Sequence, residues 1–451
     1  MRFAIPISAR LAAVVATALL LTASLLASPA SAVDIKRVVA PAGIEAWLVE
    51  DHTNPLIALR IAFRGGSGMD PTGKEGLADM ASALLDEGAG EYDSQGFQEI
   101  LEDLSIRLGF DASRDAFFGS VQTLSESREE AFRLLRLALS KPRFDADAVN
   151  RIRGQLLARL RQSEEDPDTI ANRTLTRTLF PDHPYGRPSR GTPESIAAIT
   201  ADDLKAFVKS RFGRNNLIVG AVGDITPAEL GRLVDAAFAQ LPAKGSLWTL
   251  AEVIPQATGA TIVEPKDVPQ SSIVFAQPGL KRDHADFYKL FVLNHMLGSG
   301  GFTSRLYSEV REKRGLVYSV GTGLIAYSHT GLIWGSAGTQ NARVAETLAV
   351  VREEWARMAA GTVTPAELAD AKAYLTGSYA LGFSSSDRIA DTLVGLQLDN
   401  LGIDYIDKRN GYIEAVTLDD VNRLAKSLLK PEQLTVVVVG KPAGVESSKP
   451  R

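Results

Sequence analysis

The sequence predicts an α+β fold made of two homologous modules, each a mixed or antiparallel sheet with helices packed on one face. Three observations carry this expectation. First, ITADDLKAFVKSRFGRNNLIVGAVG at 199–223 returns without a gap as VTLDDVNRLAKSLLKPEQLTVVVVG at 416–440. Thr200, Asp202, Asp203, Lys209, Ser210, Leu217, Val219, Val222 and Gly223 recur as Thr417, Asp419, Asp420, Lys426, Ser427, Leu434, Val436, Val439 and Gly440. Second, both copies obey one physical grammar. A threonine N-cap is followed by acidic residues suited to the helix dipole, a helix, a turn, and a β-branched strand ending in glycine. Third, strand-like segments open each module and blocks of helices follow, the pattern of a sheet with helices on one face.

The elements follow in chain order. Residues 1–32 read as a secretory signal peptide. Arg2 and Arg10 supply a positive start, LAAVVATALLLTASLLAS an apolar core, and Ala30-Ser31-Ala32 a small-residue exit before Val33. The rival reading is an uncleaved anchor, since the apolar stretch is near the ~20 residues a membrane span needs. The small-residue exit favours cleavage, and no other segment is apolar enough to span. The first module, 33–245, opens with strands at 44–51 and 56–66. Helices are expected near 74–87, 94–108, 126–140 and 145–164, with a strand at 116–124 among them. A linker at 246–260, within PAKGSLWTLAEVIPQATGA, has turn residues and no clear period. The second module, 261–445, repeats the order from SSIVFAQPG at 271–279.

Composition narrows the function. A chain of 451 residues exceeds one ordinary core, so two or three domains are expected. An apolar fraction of 45% and a charged fraction of 23% are those of a globular protein. The net charge of −5 is spread without long runs, so no electrostatic footprint for nucleic acid exists. There is no cysteine, which removes disulfides, thiolate ligands, a cysteine nucleophile and a lipidated cysteine at the cleavage site. An exported chain without disulfides points to a bacterial periplasm.

The most informative segment is GSGGFTSRLYSEVREKRGLVYSVGTG, residues 298–323. Thr303 or Ser304 can cap a helix to about Arg314, Gly315 suits its C-terminal turn, and Leu316–Val320 reads as a strand. A helix–turn–strand of this kind can bring Arg311 and Tyr318 to one place. On the residues alone, a surface arginine and a half-buried strand tyrosine are the preferred reading of the pattern.

The segment resembles the C-terminal signature of the pitrilysin/insulinase family of zinc peptidases, which includes the mitochondrial processing peptidases. The resemblance extends over about residues 36–442. It is carried further by GGSGMDPTGKEGLADM before the first helix, EEDPD at 164–168, HPYGRP at 183–188, VGD at 222–224, and the duplicated module. It implies that Arg311 and Tyr318 hold the peptide carbonyl, reaching across to a zinc site in the other half of the enzyme. Tyrosine suits this as an oxyanion donor and arginine as a multiple donor. It also implies that the glycines at Gly298, Gly300 and Gly301 lie by the substrate cavity. A flexible turn before the next helix is an equal reading of them.

The departure lies in GLADMASALLDEGAG at 76–90. The family's helix should carry H-x-x-E-H, two zinc-binding histidines and a water-activating glutamate. Aligned on Gly76-Leu77-Ala78, those positions hold Asp79, Ser82 and Ala83. The third ligand, a glutamate further along, falls at Arg159. All four groups are missing, so no metal or cofactor is expected in this chain. The five histidines, His52, His183, His284, His295 and His329, offer no rescue by spacing. His183 sits in an HPYG turn and His295 on an apolar helix. No G-x-S-x-G elbow occurs around Ser67 or elsewhere, and GSGG at 298–301 is no phosphate loop.

Two functions remain in view. In the first, the chain is the non-catalytic, substrate-binding subunit of a periplasmic two-chain zinc peptidase acting on peptides. A homologous H-x-x-E-H-bearing chain would hold the zinc, and this chain would supply Arg311 and Tyr318 in trans. In the second, it is a peptide-binding or scaffold protein of the cell envelope with no role in catalysis. A self-sufficient zinc peptidase would need ligands the sequence lacks.

Overall fold

The computed structural model describes residues 33–246 and 249–448. The signal-peptide reading of residues 1–32 lies outside the described residues. Among those described, no helix is long and apolar enough to cross a membrane.

The first half holds β1 (Lys36–Val39), β2 (Glu45–Glu50), β3 (Leu56–Arg64), β4 (Arg107–Ala112), β5 (Ala116–Leu124) and β6 (Leu217–Gly223). They form one sheet in the order β1-β2-β6-β3-β5-β4. The second half holds β7 (Thr261–Pro265), β8 (Gln270–Pro278), β9 (Val317–Tyr327), β10 (Thr330–Gln340) and β11 (Thr435–Gly440), ordered β7-β11-β8-β10-β9. With β1 set aside, the two sheets share one topology. The β2–β6 and β7–β11 pairs are parallel and the remaining pairs antiparallel. The duplication visible in one helix and one strand therefore extends through both sheets.

The repeated segment folds as its residues dictate. Thr200 caps the Ala201–Arg211 helix, its hydroxyl accepting from the Asp203 N–H at 3.2 Å while the Asp203 carboxylate accepts from the Thr200 N–H at 2.8 Å. Thr417 and Asp420 repeat this box on Leu418–Leu428 at 3.1 and 3.2 Å. Each box satisfies two backbone donors that a helix start otherwise leaves unpaired.

Some elements differ from expectation. The helix expected over 94–108 spans Ser94–Asp103 and gives way to β4. Ser105 adopts a left-handed φ of 52°, and the Ile106 N–H closes onto the Leu101 carbonyl at 2.8 Å. This is a helix stop without the glycine that usually advertises it. A further helix, Pro167–Leu179, is not among those expected: Asp166 caps it, accepting from Thr169 N–H, and Pro167 starts it.

That helix reveals what ties the halves together. It belongs to the first half by sequence but packs on β8 and β11 of the second. Ala171, Leu175 and Leu179 are buried against Val274, Ala276, Val437 and Val439. Trp334 Nε1 of β10 donates to Asn172 Oδ1 at 3.1 Å. The exchange is reciprocal, because Ser386–Leu398 of the second half packs on β3 and β6 of the first. Leu393 meets the backbone of β6 so closely that a Cβ on Gly220 would lie 2.9 Å from the Leu393 Cβ. Arg64 of β3 donates to the Leu398 and Gln397 carbonyls at 2.7 and 2.8 Å, a cation at the negative end of the helix. Arg60, also on β3, bonds Asp391 and Asp387 at 2.7 and 2.9 Å. Each sheet thus packs a helix borrowed from the other half.

Candidate functional site

The helix in GLADMASALLDEGAG spans only Leu77–Ser82, shorter than the 74–87 expected. The Leu84 and Leu85 N–H groups both turn onto the Ala81 carbonyl, and Gly88 reverses the chain at φ 105°. At the other end Asp70 anchors the helix, its carboxylate accepting from Gly76 N–H at 3.0 Å and Ala78 N–H at 3.2 Å. Burial pushes the Asp70 carboxyl up to about 7, against the pull of those N–H groups and of Arg211 and Arg187.

The four positions aligned with the family's zinc ligands and base do come together. Arg159 Nη2, on the Ala146–Ser163 helix, donates to Asp79 Oδ2 at 2.8 Å. Side-chain exposure is 50% for Arg159 and 15% for Asp79, so the pair closes over a largely buried carboxylate. Burial raises the Asp79 pKa, Arg159 and Arg190 pull it back, and Asp111 of β4 adds to the rise. Ser82 Oγ donates to the Asp79 carbonyl at 2.8 Å, and the Ala83 N–H meets the same oxygen at 3.2 Å. The donor set does not fit zinc. It offers one carboxylate, already paired with a guanidinium, a hydroxyl already spent on backbone, and a methyl. The arginine places its positive charge against the carboxylate that a cation would need. Among the described residues no other group of histidine, aspartate and glutamate is arranged to hold a metal.

This ion pair allows a direct test. Arg159→Ala is expected to cost about 1 kcal/mol, modest because the guanidinium is half exposed. A carboxyl whose folded pKa lies above its unfolded value contributes most below the unfolded value and loses that contribution as pH rises through the folded one. Removing Arg159 raises the Asp79 pKa further, so stability should fall more steeply with rising pH in the variant. Urea denaturation over a pH series would read this, and superimposable curves would contradict it.

The second constellation lies in the other half. The helix expected over 303–314 is wound mostly as a π-helix, Tyr307–Glu312, in which the Lys313 N–H reaches back five residues to the Ser308 carbonyl at 3.0 Å. Thr303 and Ser304 do not cap it through their side chains. Both hydroxyls donate back to the Gly300 and Gly301 carbonyls at 3.0 and 2.8 Å. Gly315, at φ 58°, turns the chain into β9. The result sets Arg311 beside Tyr318, with the guanidinium carbon 5.3 Å from the ring centroid. Tyr307 and Phe302 flank the same guanidinium at 4.8 and 5.9 Å. Three rings fix the arginine by cation–π contact and leave its N–H donors without a carboxylate among the described residues. Tyr318 is 81% exposed. Phe302 and Tyr307 escaped the sequence reading. The signal was there, since Tyr307 lies one turn before Arg311.

The three glycines have distinct roles. Gly298 is buried under β9, and a Cβ there would lie 2.8 Å from the Thr322 nitrogen. Gly301 takes φ 57° with open space around it. Gly300 sits over His295, and a Cβ would meet the His295 carbonyl oxygen at 2.8 Å. Close packing thus accounts for Gly298 and Gly300, and backbone conformation for Gly301. His295 itself is 5% exposed and stacks on Tyr374, with burial lowering its pKa. His183 closes its turn by accepting from the Tyr185 N–H at 3.2 Å.

Fold and site together define a chain of two matching sheet-and-helix halves in which Asp79 and Arg159 form an ion pair. Residues 46–193 match the family described as Insulinase (Peptidase family M16), and residues 198–375 match Peptidase M16 inactive domain. The chain is 30% identical over 395 residues to the non-peptidase homolog YmxG of Helicobacter pylori, covering 86% of this chain and 90% of that one. A protein of Bacillus subtilis named as the uncharacterized zinc protease YmxG is 22% identical over 404 residues, 90% of this chain and 98% of that one. The crystal structure of a peptidase M16 inactive domain from Pseudomonas fluorescens superimposes with a TM-score of 0.84 at 30% identity, covering 92% of this chain and 99% of that one. The chain belongs to the insulinase family of peptidases, family M16. Its relatives' names include both a non-peptidase and a zinc protease. In this chain positions 79, 82, 83 and 159 hold aspartate, serine, alanine and arginine.

Proposed function

We propose that the chain is the non-catalytic, substrate-binding subunit of a two-chain zinc metallopeptidase acting on peptides in the periplasm. One observation carries this reading. The ligand positions of the first half are closed by the Asp79–Arg159 pair, while Arg311 and Tyr318 of the second half stand side by side with their donors open. A scaffold alone has no use for an exposed phenol beside a guanidinium held among three rings. In the proposed complex the zinc belongs to a homologous H-x-x-E-H-bearing partner. Arg311 grips the substrate carbonyl, and the Tyr318 hydroxyl donates to its oxygen as negative charge develops there. Peptide capture has a further support in β4 and β9, which are edge strands of their sheets. Such edges can pair with an extended peptide. The periplasmic assignment rests on the composition of residues 1–32.

Co-expression with an H-x-x-E-H-bearing homologue from the same genome tests the proposal. The two chains should co-purify, with zinc in the partner, and cleave peptides only as a pair. A stable homodimer that neither binds nor activates any such homologue would instead establish the scaffold reading.

A further inference from the structure

A cleft of about 380 Å³ opens beside the Asp79–Arg159 pair, a volume within the roughly 300–1,000 Å³ of small-ligand sites. Its walls are the Ala146–Ser163 helix, the borrowed Pro167–Leu179 helix and the 186–191 loop. Five arginines line it, Arg114, Arg159, Arg173, Arg187 and Arg190, against one carboxylate, Asp168. That carboxylate already accepts from Ser272 Oγ of β8.

The arginines divide into two sets. Arg114 and Arg187 are structural. Arg114 Nη1 donates to the Arg187 carbonyl at 3.1 Å, and Arg187 donates to the Asp70 carbonyl at 3.0 Å and the Gly68 carbonyl at 3.3 Å, with Glu75 at 3.6 Å. Arg159 shares Asp79 but is half exposed. The Arg173 guanidinium has no hydrogen-bond or ion-pair partner among the described residues, and that of Arg190 makes no hydrogen bond or close ion pair there, although its charge acts on Asp79. Like charges gathered in one cavity repel, and an anion in the cavity relieves that repulsion. Guanidinium is the side chain best shaped to receive a carboxylate through paired N–H donors.

We propose that this cleft binds the carboxylate groups of acidic peptides, with Arg159, Arg173 and Arg190 as the binding residues. The position suits a peptide. Edge strand β4 lies next to the Leu77–Ser82 helix, and Asp79 of that helix joins the cleft through Arg159. Arg114, two residues beyond the end of β4, lines the cleft, so a strand paired along β4 would run toward it. The cleft thereby gives the subunit a preference for acidic sequence. This inference rests on the chain being a peptide-binding subunit. It does not depend on a partner, because the isolated chain carries the whole cleft.

The test is fluorescence anisotropy on the isolated chain with two labelled peptides, one carrying a central Glu-Glu pair and one with Gln-Gln in its place. The acidic peptide should bind at least about tenfold more tightly, as expected for charge-assisted arginine–carboxylate bonds. Its affinity should fall as salt rises. The double variant Arg173→Gln/Arg190→Gln, at two exposed positions, should lose the preference while keeping the circular dichroism spectrum. Equal affinity for the two peptides, or an unchanged preference in the double variant, overturns the proposal. So does inorganic phosphate binding in the absence of any preference between the peptides. A peptide preference in a chain that no homologue engages would sink the two-chain reading alone. An active pair without the preference would sink this inference alone.

Discussion

In the assembled complex, Tyr318→Phe is expected to lower kcat by about 10²–10³-fold, the usual cost of losing one oxyanion donor. The substitution removes a single oxygen. The ring remains over Arg311, 5.3 Å from its guanidinium carbon, and the pairing of β9 with β10 from Val320 to Tyr327 does not involve the hydroxyl. At 81% exposure the hydroxyl contributes little to folding, so complex formation and zinc content should not change. An interaction made mainly in the transition state should spare KM, and kcat and kcat/KM should fall together. Steady-state cleavage by complexes reconstituted with each chain checks this. Equal kcat for the two complexes would show that the phenol plays no part in the chemistry and would remove the main argument for a role in trans.

Leu393→Ala should have the largest effect on stability. Leu393 is fully buried on the borrowed 386–398 helix, packed between the two halves with Trp47, Ala58 and Val222. A leucine truncated to alanine in such a place costs about 2–5 kcal/mol. The upper part of that range is expected, because the surroundings cannot close the gap. Gly220 has no side chain to move, and Arg60 and Arg64 hold the helix by its carboxylates and terminal carbonyls. Since the helix belongs to one half and covers the sheet of the other, the loss should lower the urea midpoint of the whole chain in one transition. A variant in which one half melts separately while the other keeps its midpoint would show that the exchange does not couple them.

How much was legible follows from where each signal resides. The threonine capping boxes at 200 and 417 are local, because hydroxyl, carboxylate and N–H all lie within four residues. They located the duplicated module and through it the fold class. The short helix at 77–82 was overextended because its stop is made by turns of buried leucines. A small apolar run looks helical until the sheet beneath it bends the chain. The left-handed Ser105 hid β4 for a similar reason, since only packing makes a serine accept that conformation. At the site, the replacement of all four zinc-site groups could be read directly, but the bond between Asp79 and Arg159 could not. Their side chains meet because two distant helices are laid together by the sheet. Of the cage around Arg311, Tyr307 could be read from its place one turn before the arginine, whereas Phe302 is brought there only by the 301–303 turn and the π winding that follows.

The sequence by itself determined the family resemblance, the two-module α+β plan, and the absence of the histidines and glutamates that bind zinc. These are matters of residue identity and of contacts within a turn or two of helix or strand. Only the tertiary structure decided that the halves exchange helices, that Asp79 and Arg159 form an ion pair, and that five arginines line a cleft beside it. Those features join residues far apart in the chain. Their free energy depends on burial and on the distances between charges, which exist only once the sheets and helices have packed.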